Sequence, residues 1–113
     1  MVMSKNTNKT PSNSVVRAMR KIGADIRDAR RRRRIPVAVL AERASISRMT
    51  LNKIESGNRG VAFGNYASVL YSLGMIERLS EIADSRHDIV GLQLEEERLP
   101  QRIRSSAFKS ARS

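Results

Sequence analysis

The sequence predicts an all-α fold, namely a five-helix domain with a basic N-terminal helix and an extended C-terminal tail. Apolar residues recur at spacings of three and four along most of the chain, which is the period of amphipathic helices. Aromatic residues make up only 4% of the 113 residues, so the core is expected to be aliphatic. Ser and Gly residues stand where such helices would begin and end. A chain of this length has room for one compact core.

The first predicted helix covers residues 15–33. It follows a polar arm, residues 1–14, that is expected to be disordered because it holds few apolar side chains. Ser14 is the expected N-cap of the helix. Its apolar face consists of Ile22, Ile26 and Ala29, which recur at i, i+4 and i+7.

Two short helices are predicted next, over residues 36–43 and 47–56. Pro36 suits a first helical turn, because the N–H group that proline lacks would have no partner there. Ser47 is a good N-cap for the second of these helices, and Gly57 is a good residue to end it.

Two further helices are predicted over residues 62–73 and 76–83, with Gly74 between them. The fourth helix is expected to bury five apolar side chains: Phe63, Tyr66, Val69, Leu70 and Leu73. The fifth offers Ile76, Leu79 and Ile82. The helical domain is therefore expected over residues 15–84. Beyond it the pattern weakens, and residues 89–94 also allow one short β-strand, because apolar residues alternate there.

Positive charge is concentrated at the N-terminal end. Residues 1–34 hold 11 Lys and Arg against two Asp, whereas residues 35–84 are neutral and residues 85–113 carry a net +2. One end of the molecule is thus suited to a polyanion. Nucleic acid fits better than a membrane surface, because the basic helix has only a thin apolar stripe and no Trp or Phe.

Other classes of function have little support in the sequence. The chain has no cysteine, and its single histidine, His87, cannot build a metal site alone. It has no nucleophile–base pair and no glycine motif that cradles phosphate, so neither an enzyme nor a bound cofactor is expected. No apolar run has the length of a membrane span or a signal peptide, which predicts a cytoplasmic protein. Because nucleic acid is its expected partner, it is also expected to be nucleoid-associated.

The most informative stretch is LAERASISRMTLNKIESG, residues 40–57. Two short helices joined by a tight turn, with the small Ala41 at their crossing, hold the second helix outward, where it can enter the major groove of DNA. Four side chains are expected to face outward from that helix: Arg48, Met49, Asn52 and Lys53.

This stretch resembles the Xre-type helix-turn-helix family, which has the lambda-repressor-like fold, and the resemblance covers residues 22–73. It implies that the third helix reads double-stranded DNA. The base-contacting positions of the family fall on Arg48, Met49, Asn52 and Lys53, and its phosphate contacts fall near Asn58 and Arg59. A buried ion pair of the family falls on Arg30 and Glu55. Position 37 departs from the family, because Val37 stands where a phosphate-binding Gln is usual.

Further candidates for contact with the DNA backbone lie close to the motif. Ser47 stands at the N-terminus of the third helix, where backbone N–H groups favour a phosphate. Four consecutive arginines are also expected to contact phosphates: Arg31, Arg32, Arg33 and Arg34. The alternative for these arginines is a structural role, because cations stabilise the C-terminus of a helix.

The tail, residues 85–113, is predicted to bind a partner or to form a homodimer. Its segment GLQLEEERLPQRIR, residues 91–104, is similar to tails of HipB-like antitoxins, which are Xre-type repressors that restrain a HipA-like kinase toxin. The resemblance implies an autoregulating antitoxin that binds a palindromic operator. Two alternatives are a stand-alone Xre-type regulator and a protein that binds nucleic acid non-specifically through its arginines.

Overall fold

The regular structure of the described chain is entirely helical. This computed structural model describes residues 12–102, and the side chains of residues 12–98. Most of the predicted arm, residues 1–11, and the end of the predicted tail, residues 103–113, lie outside it. The elements are α1 (Asn13–Arg32), α2 (Val37–Arg43), α3 (Arg48–Glu55), α4 (Phe63–Ser72), α5 (Ile76–Ser80), a 3₁₀ turn (Ser85–His87) and α6 (Ile89–Arg102).

The first helix begins two residues earlier than the sequence predicted. The hydroxyl of Ser12, and not that of Ser14, accepts a hydrogen bond from the Val15 amide at 3.2 Å and caps the helix. Both serines suit this position, and capping by Ser12 adds two helical residues. The helix therefore includes Asn13 and Ser14, which the sequence analysis assigned to the arm.

Four large side chains form the centre of the core, which lies between α1, α2, α3 and α4. Leu40, Leu51, Ile54 and Val69 are fully buried, and burial contributes roughly 1.5–3 kcal/mol for each such side chain. The remaining buried members of the core are Ile26, Ala29, Ala41, Ala44, Tyr66 and Leu73. As the low aromatic content predicted, the core is mainly aliphatic.

Three apolar residues that the sequence placed on inward faces are exposed instead. Ile22 is 39% exposed, because its neighbour Gly23 is the residue that faces α3. Phe63 is 66% exposed, because it is the first residue of α4 and lies ahead of the buried turn. Ile82 is 65% exposed, because α5 ends at Ser80 and not at residue 83 as predicted.

The first four helices end in the same way. In each, the amide of the second residue after the C-cap donates to a carbonyl five residues back, and the amide of the first residue donates three residues back. This is the Schellman motif, and it requires a positive φ at the residue after the cap. Those residues are Arg34 (φ 55°), Ser45 (φ 59°), Gly57 (φ 80°) and Gly74 (φ 80°). The sequence indicated only the two glycines.

The chain divides into two compact units, one that ends at Leu79 and one that begins at Ser80. In the second unit the Asp84 carboxylate accepts hydrogen bonds from the Arg86 guanidinium and backbone amide, which lower the pKa of Asp84 below its usual value. The Asp88 carboxylate accepts a hydrogen bond from the Gly91 amide at 3.1 Å in the first turn of α6.

Residues 89–94 belong to the helix α6, so the alternative that they form a β-strand is wrong.

Candidate nucleic-acid interface

The helix α3 has one buried and one exposed face. Leu51 and Ile54 are completely buried, and Glu55 is 6% exposed. The opposite face exposes all four side chains that the sequence predicted would read bases: Arg48, Met49, Asn52 and Lys53. Met49 is 66% exposed although it is apolar. The exposed face therefore combines two cations, one amide and one thioether, and it carries no negative charge.

Ser47 fixes the N-terminus of α3. Its hydroxyl oxygen accepts a hydrogen bond from the Thr50 amide at 3.0 Å, which satisfies one of the free N–H groups of the first turn. Its O–H group lies 3.0 Å from the Thr50 hydroxyl and donates to it. Because the Ser47 hydroxyl already serves as the cap, a direct phosphate contact from it would compete with Thr50.

The C-terminus of α3 is held by an ion pair with α1. Nε and Nη2 of Arg30 donate to the two carboxylate oxygens of Glu55 at 2.7 and 3.1 Å, and Nη1 donates to the Ile35 carbonyl at 3.1 Å. Arg27 adds a more distant cation, 3.8 Å from the same carboxylate. The hydrogen bonds to Glu55 raise the pKa of Arg30 above its usual value, although burial opposes them. Both members of the pair that the resemblance implied are thus in contact.

A second contact between α1 and α3 was not anticipated from the sequence. A Cβ atom at Gly23 would lie 2.5 Å from the Ile54 carbonyl oxygen and 2.7 Å from the Glu55 oxygen. At Gly57, a Cβ atom would lie 2.7 Å from Cα of Arg20. The two backbones therefore meet without side chains between them. A glycine in the middle of a long helix costs about 1 kcal/mol of stability relative to alanine. Gly23 was therefore the feature of the sequence from which this close contact could have been predicted.

The predicted arginine cluster lies at the end of α1 and in the turn to α2. All four side chains of residues 31–34 are exposed. The guanidinium of Arg33 donates to the Ala29 carbonyl at 2.9 Å and so stabilises the helix end. Arg34 occupies the left-handed position of the turn. Arg33 therefore has the structural role at the C-terminus of α1 that the sequence left open as an alternative for these arginines.

The loop after α3 is held by hydrogen bonds of Asn58. The Asn58 carboxamide oxygen accepts from the Gly60 amide at 2.6 Å, and the Asn58 carbonyl accepts from the buried Tyr66 hydroxyl, also at 2.6 Å. Burial raises the pKa of Tyr66. These bonds leave the Arg59 side chain exposed next to the C-terminal end of α3. The Asn58 NH₂ group remains the part of that side chain able to donate to a phosphate.

Val37 is half-buried and packs against the core at the start of α2. The side chain at this position therefore contributes to the fold, and the phosphate contact that a glutamine would supply has no counterpart there.

No cluster of three or more metal-ligating side chains occurs among residues 12–98. Over the same described part, none of the helices has the length and apolar character needed to cross a bilayer. Comparison of the chain with protein-family models, with curated proteins and with solved structures finds no match.

Proposed function

We propose that the protein is a sequence-specific transcriptional repressor that inserts α3 into the major groove of double-stranded DNA. The observation that carries this proposal is the division of α3 into two faces. Leu51, Ile54 and Glu55 hold it against the rest of the first unit, so that four potential base-reading side chains point outward together. The short helices α2 and α3, joined by a tight turn, support a lambda-repressor-like helix-turn-helix of the Xre type.

The exposed side chains of α3 suit base recognition. Arg48 and Lys53 can donate to O6 and N7 of guanine, and Asn52 can form a bidentate pair with adenine. Met49 can contact the methyl group of thymine, which would account for an exposed apolar side chain between polar ones. Each good bidentate contact contributes roughly 1–3 kcal/mol of discrimination against a wrong base.

Contacts with the sugar–phosphate backbone would come from both sides of α3. Arg31, Arg32 and Arg34 are exposed before α2, and Asn58 and Arg59 follow α3. Such contacts position the protein on the duplex but carry no sequence information of their own. Arg33 is the weaker candidate of the arginine cluster, because its guanidinium is bonded to the Ala29 carbonyl.

A homodimer on a palindromic operator completes the proposal. One α3 helix can read only a few base pairs, which is too little to single out one site in a genome. Helix-turn-helix dimers read two half-sites about 34–36 Å apart. The proposal therefore includes two-fold symmetric binding by two copies of this chain.

The test is footprinting of the full-length protein on the promoter of its own gene, followed by binding competition against scrambled duplexes. We expect a protected palindrome and a preference of at least 10³-fold over scrambled sequence. Arg48→Ala and Lys53→Ala should lose most of that preference. A protein that binds scrambled and native duplexes equally would instead be a non-specific nucleic-acid-binding protein. Unchanged preference in both variants would show that α3 does not read the bases.

A narrower function, autoregulation as the antitoxin of a HipA-like kinase, is supported by α6. Four large apolar side chains within six residues of this helix are exposed: Ile89, Val90, Leu92 and Leu94. Exposed apolar side chains that form a contiguous patch are typical of surfaces that bind another protein or a membrane. If a kinase-like protein is encoded next to this gene, the two should co-purify, and a Leu92→Ser/Leu94→Ser variant should lose the kinase but still bind DNA. Absence of co-purification with the wild-type protein would exclude the antitoxin function.

A further inference from the structure

The N-terminal half of α1 lies at the edge of the core, where Met19 packs against it. No residue of α1 before Gly23 is buried, and only Val16 and Met19 are half-buried. The first turn contains no acidic residue, and the first acidic residue of the helix is Asp25. A helical segment with so few core contacts gains little stability from packing. Packing therefore does not explain which side chains this segment carries.

This segment carries three cations that differ in their surroundings. The Lys21 ammonium forms an ion pair with Asp25 at 2.6 Å. Among the described residues, the Arg17 guanidinium has a hydrogen bond only to the Ser14 hydroxyl, at 3.4 Å, and Arg20 has no hydrogen bond or ion pair. The helix dipole stabilises cations at the C-terminus of a helix, as for Arg30 and its neighbours, but not in its N-terminal half. Neither a partner nor the dipole therefore accounts for Arg17 and Arg20.

The fold places this segment beside the loop that follows α3. A Cβ atom at Gly57 would lie 2.7 Å from Cα of Arg20 and from the Met19 carbonyl oxygen, so the α1 backbone is in direct contact with that turn. Arg59 is exposed two residues further along the same loop. The arginines of residues 31–34 begin 11 residues after Arg20, about 17 Å along the helix axis. The major groove of DNA is about 12 Å wide, so this separation is large enough to span it.

We propose that Arg17 and Arg20 form a second phosphate-binding cluster, which acts together with Arg59 on the backbone opposite the one contacted by residues 31–34. The proposal rests on the proposed function, because it assumes that α3 lies in the major groove between the two DNA backbones. It assigns a role to the N-terminal half of α1, which the family resemblance, beginning at residue 22, does not include.

The test is the salt dependence of operator affinity for the full-length protein. Each phosphate contact contributes about 0.9 to the slope of log affinity against log salt concentration. Arg17→Ala and Arg20→Ala should each lower that slope by about 0.9, so that the loss of affinity between 50 and 200 mM salt becomes about 3.5-fold smaller. The preference for operator over scrambled duplex should stay unchanged. Arg20→Lys should keep the slope, since lysine also neutralises a phosphate.

Lys21→Ala is the matched control, because Lys21 is adjacent in sequence but already paired with Asp25. We expect it to change the slope by less than half as much. Because these side chains are exposed, all variants should fold, which circular dichroism checks. Slopes for Arg17→Ala and Arg20→Ala equal to that of the wild type would overturn the proposal and leave the repressor function intact. A wild-type protein that binds no duplex would overturn both.

Discussion

The carboxylate of Glu55, the last residue of α3, accepts two hydrogen bonds from the guanidinium of Arg30 on α1. The side chains are 5% and 11% exposed, so the pair is largely removed from water. Bidentate arginine–carboxylate pairs fix relative orientation as well as distance. This pair therefore holds the C-terminal end of the proposed reading helix in a defined position on α1, 25 residues away in sequence.

Arg30→Ala should destabilise the protein strongly. The substitution leaves the Glu55 carboxylate buried with only the more distant Arg27 as a partner, and removal of one member of a buried pair costs about 3–5 kcal/mol. We expect a loss of about 3 kcal/mol in the free energy of unfolding, at the lower end because Arg27 compensates in part. Urea titration of the purified protein measures it.

Two controls distinguish the effect of this buried ion pair from that of an ion pair on the surface. Lys21→Ala removes an exposed ion pair and should cost less than about 0.5 kcal/mol. The double variant Arg30→Met/Glu55→Leu should recover most of the stability lost in Arg30→Ala, because no unpaired charge is then buried. A double variant as unstable as Arg30→Ala would mean that the pair contributes through packing and not through charge.

Gly23→Ala should also destabilise the protein, although alanine is the better helix former. The new methyl group would meet carbonyl oxygens of Ile54 and Glu55 at 2.5 and 2.7 Å, and backbone atoms cannot move aside as a flexible side chain can. We expect a loss of about 1–3 kcal/mol and a weaker operator affinity, because α3 must shift. Thermal unfolding and gel shifts measure the two effects.

Gly64→Ala is the matched control for this substitution. Gly64 is exposed in the first turn of α4, and a Cβ atom there would have no neighbour within 4 Å. The same change should therefore increase stability by up to about 1 kcal/mol through helix propensity alone. Equal effects at the two positions would show that the close approach of α1 to α3 is not under steric constraint.

The contrast between these glycines indicates what the sequence could and could not reveal. Apolar spacing was sufficient to locate α1 to α5, because buried side chains recur within a helix at spacings of three and four, as Ile26 and Ala29 do in α1 and Leu51 and Ile54 do in α3. Spacing cannot tell which glycine lies against a backbone from distant sequence. For the same reason it missed the two non-glycine residues at positive φ, Arg34 and Ser45.

For the candidate site, too, the sequence predicted some features and missed others. Each helix-3 side chain that the motif placed outward is exposed, since burial of Leu51 and Ile54 sets the rotation of the helix. The contribution of α1 was foreseen only at its C-terminal end, through Arg30 and the arginines that follow it. Its N-terminal cations lie outside the motif, and only the contact of Arg20 with Gly57 brings them to the site.

Stability should fall at alkaline pH because of Tyr66. Burial raises the pKa of its hydroxyl, so the unfolded chain loses this proton first, near pH 10. Above that pH the folded state binds more protons than the unfolded state, and the free energy of unfolding decreases as pH rises. Tyr66→Phe should lose about 1 kcal/mol at pH 8, because the hydrogen bond to the Asn58 carbonyl is gone.

The variant Tyr66→Phe should, however, show a smaller decrease between pH 9 and pH 11. Urea unfolding at several pH values compares the two proteins. Tyr71→Phe is the matched substitution at an exposed position, because Tyr71 is 71% exposed. An identical pH profile for wild type and Tyr66→Phe would contradict the assignment of this effect to Tyr66.

Substitution of Ser47 can separate the stability of α3 from its contact with DNA. Ser47→Ala removes the cap on the Thr50 amide and should cost about 1 kcal/mol of stability. Ser47→Asp restores an acceptor, and its negative charge is favourable at a helix N-terminus, so the protein should be as stable as the wild type. If this end of α3 lies against the duplex, the same carboxylate is repelled by phosphates, and operator affinity should fall at least tenfold.

Ser47→Asn completes the comparison, since asparagine caps helices as well as serine does but carries no charge. It should keep both the stability and most of the affinity, so that any loss in Ser47→Asp reports charge alone. The repulsion is electrostatic, so the deficit of Ser47→Asp relative to Ser47→Asn should shrink as salt is raised from 50 to 200 mM. If Ser47→Asp binds operator as tightly as Ser47→Asn, the N-terminus of α3 does not approach the DNA backbone, and a different face of the first unit must bind it.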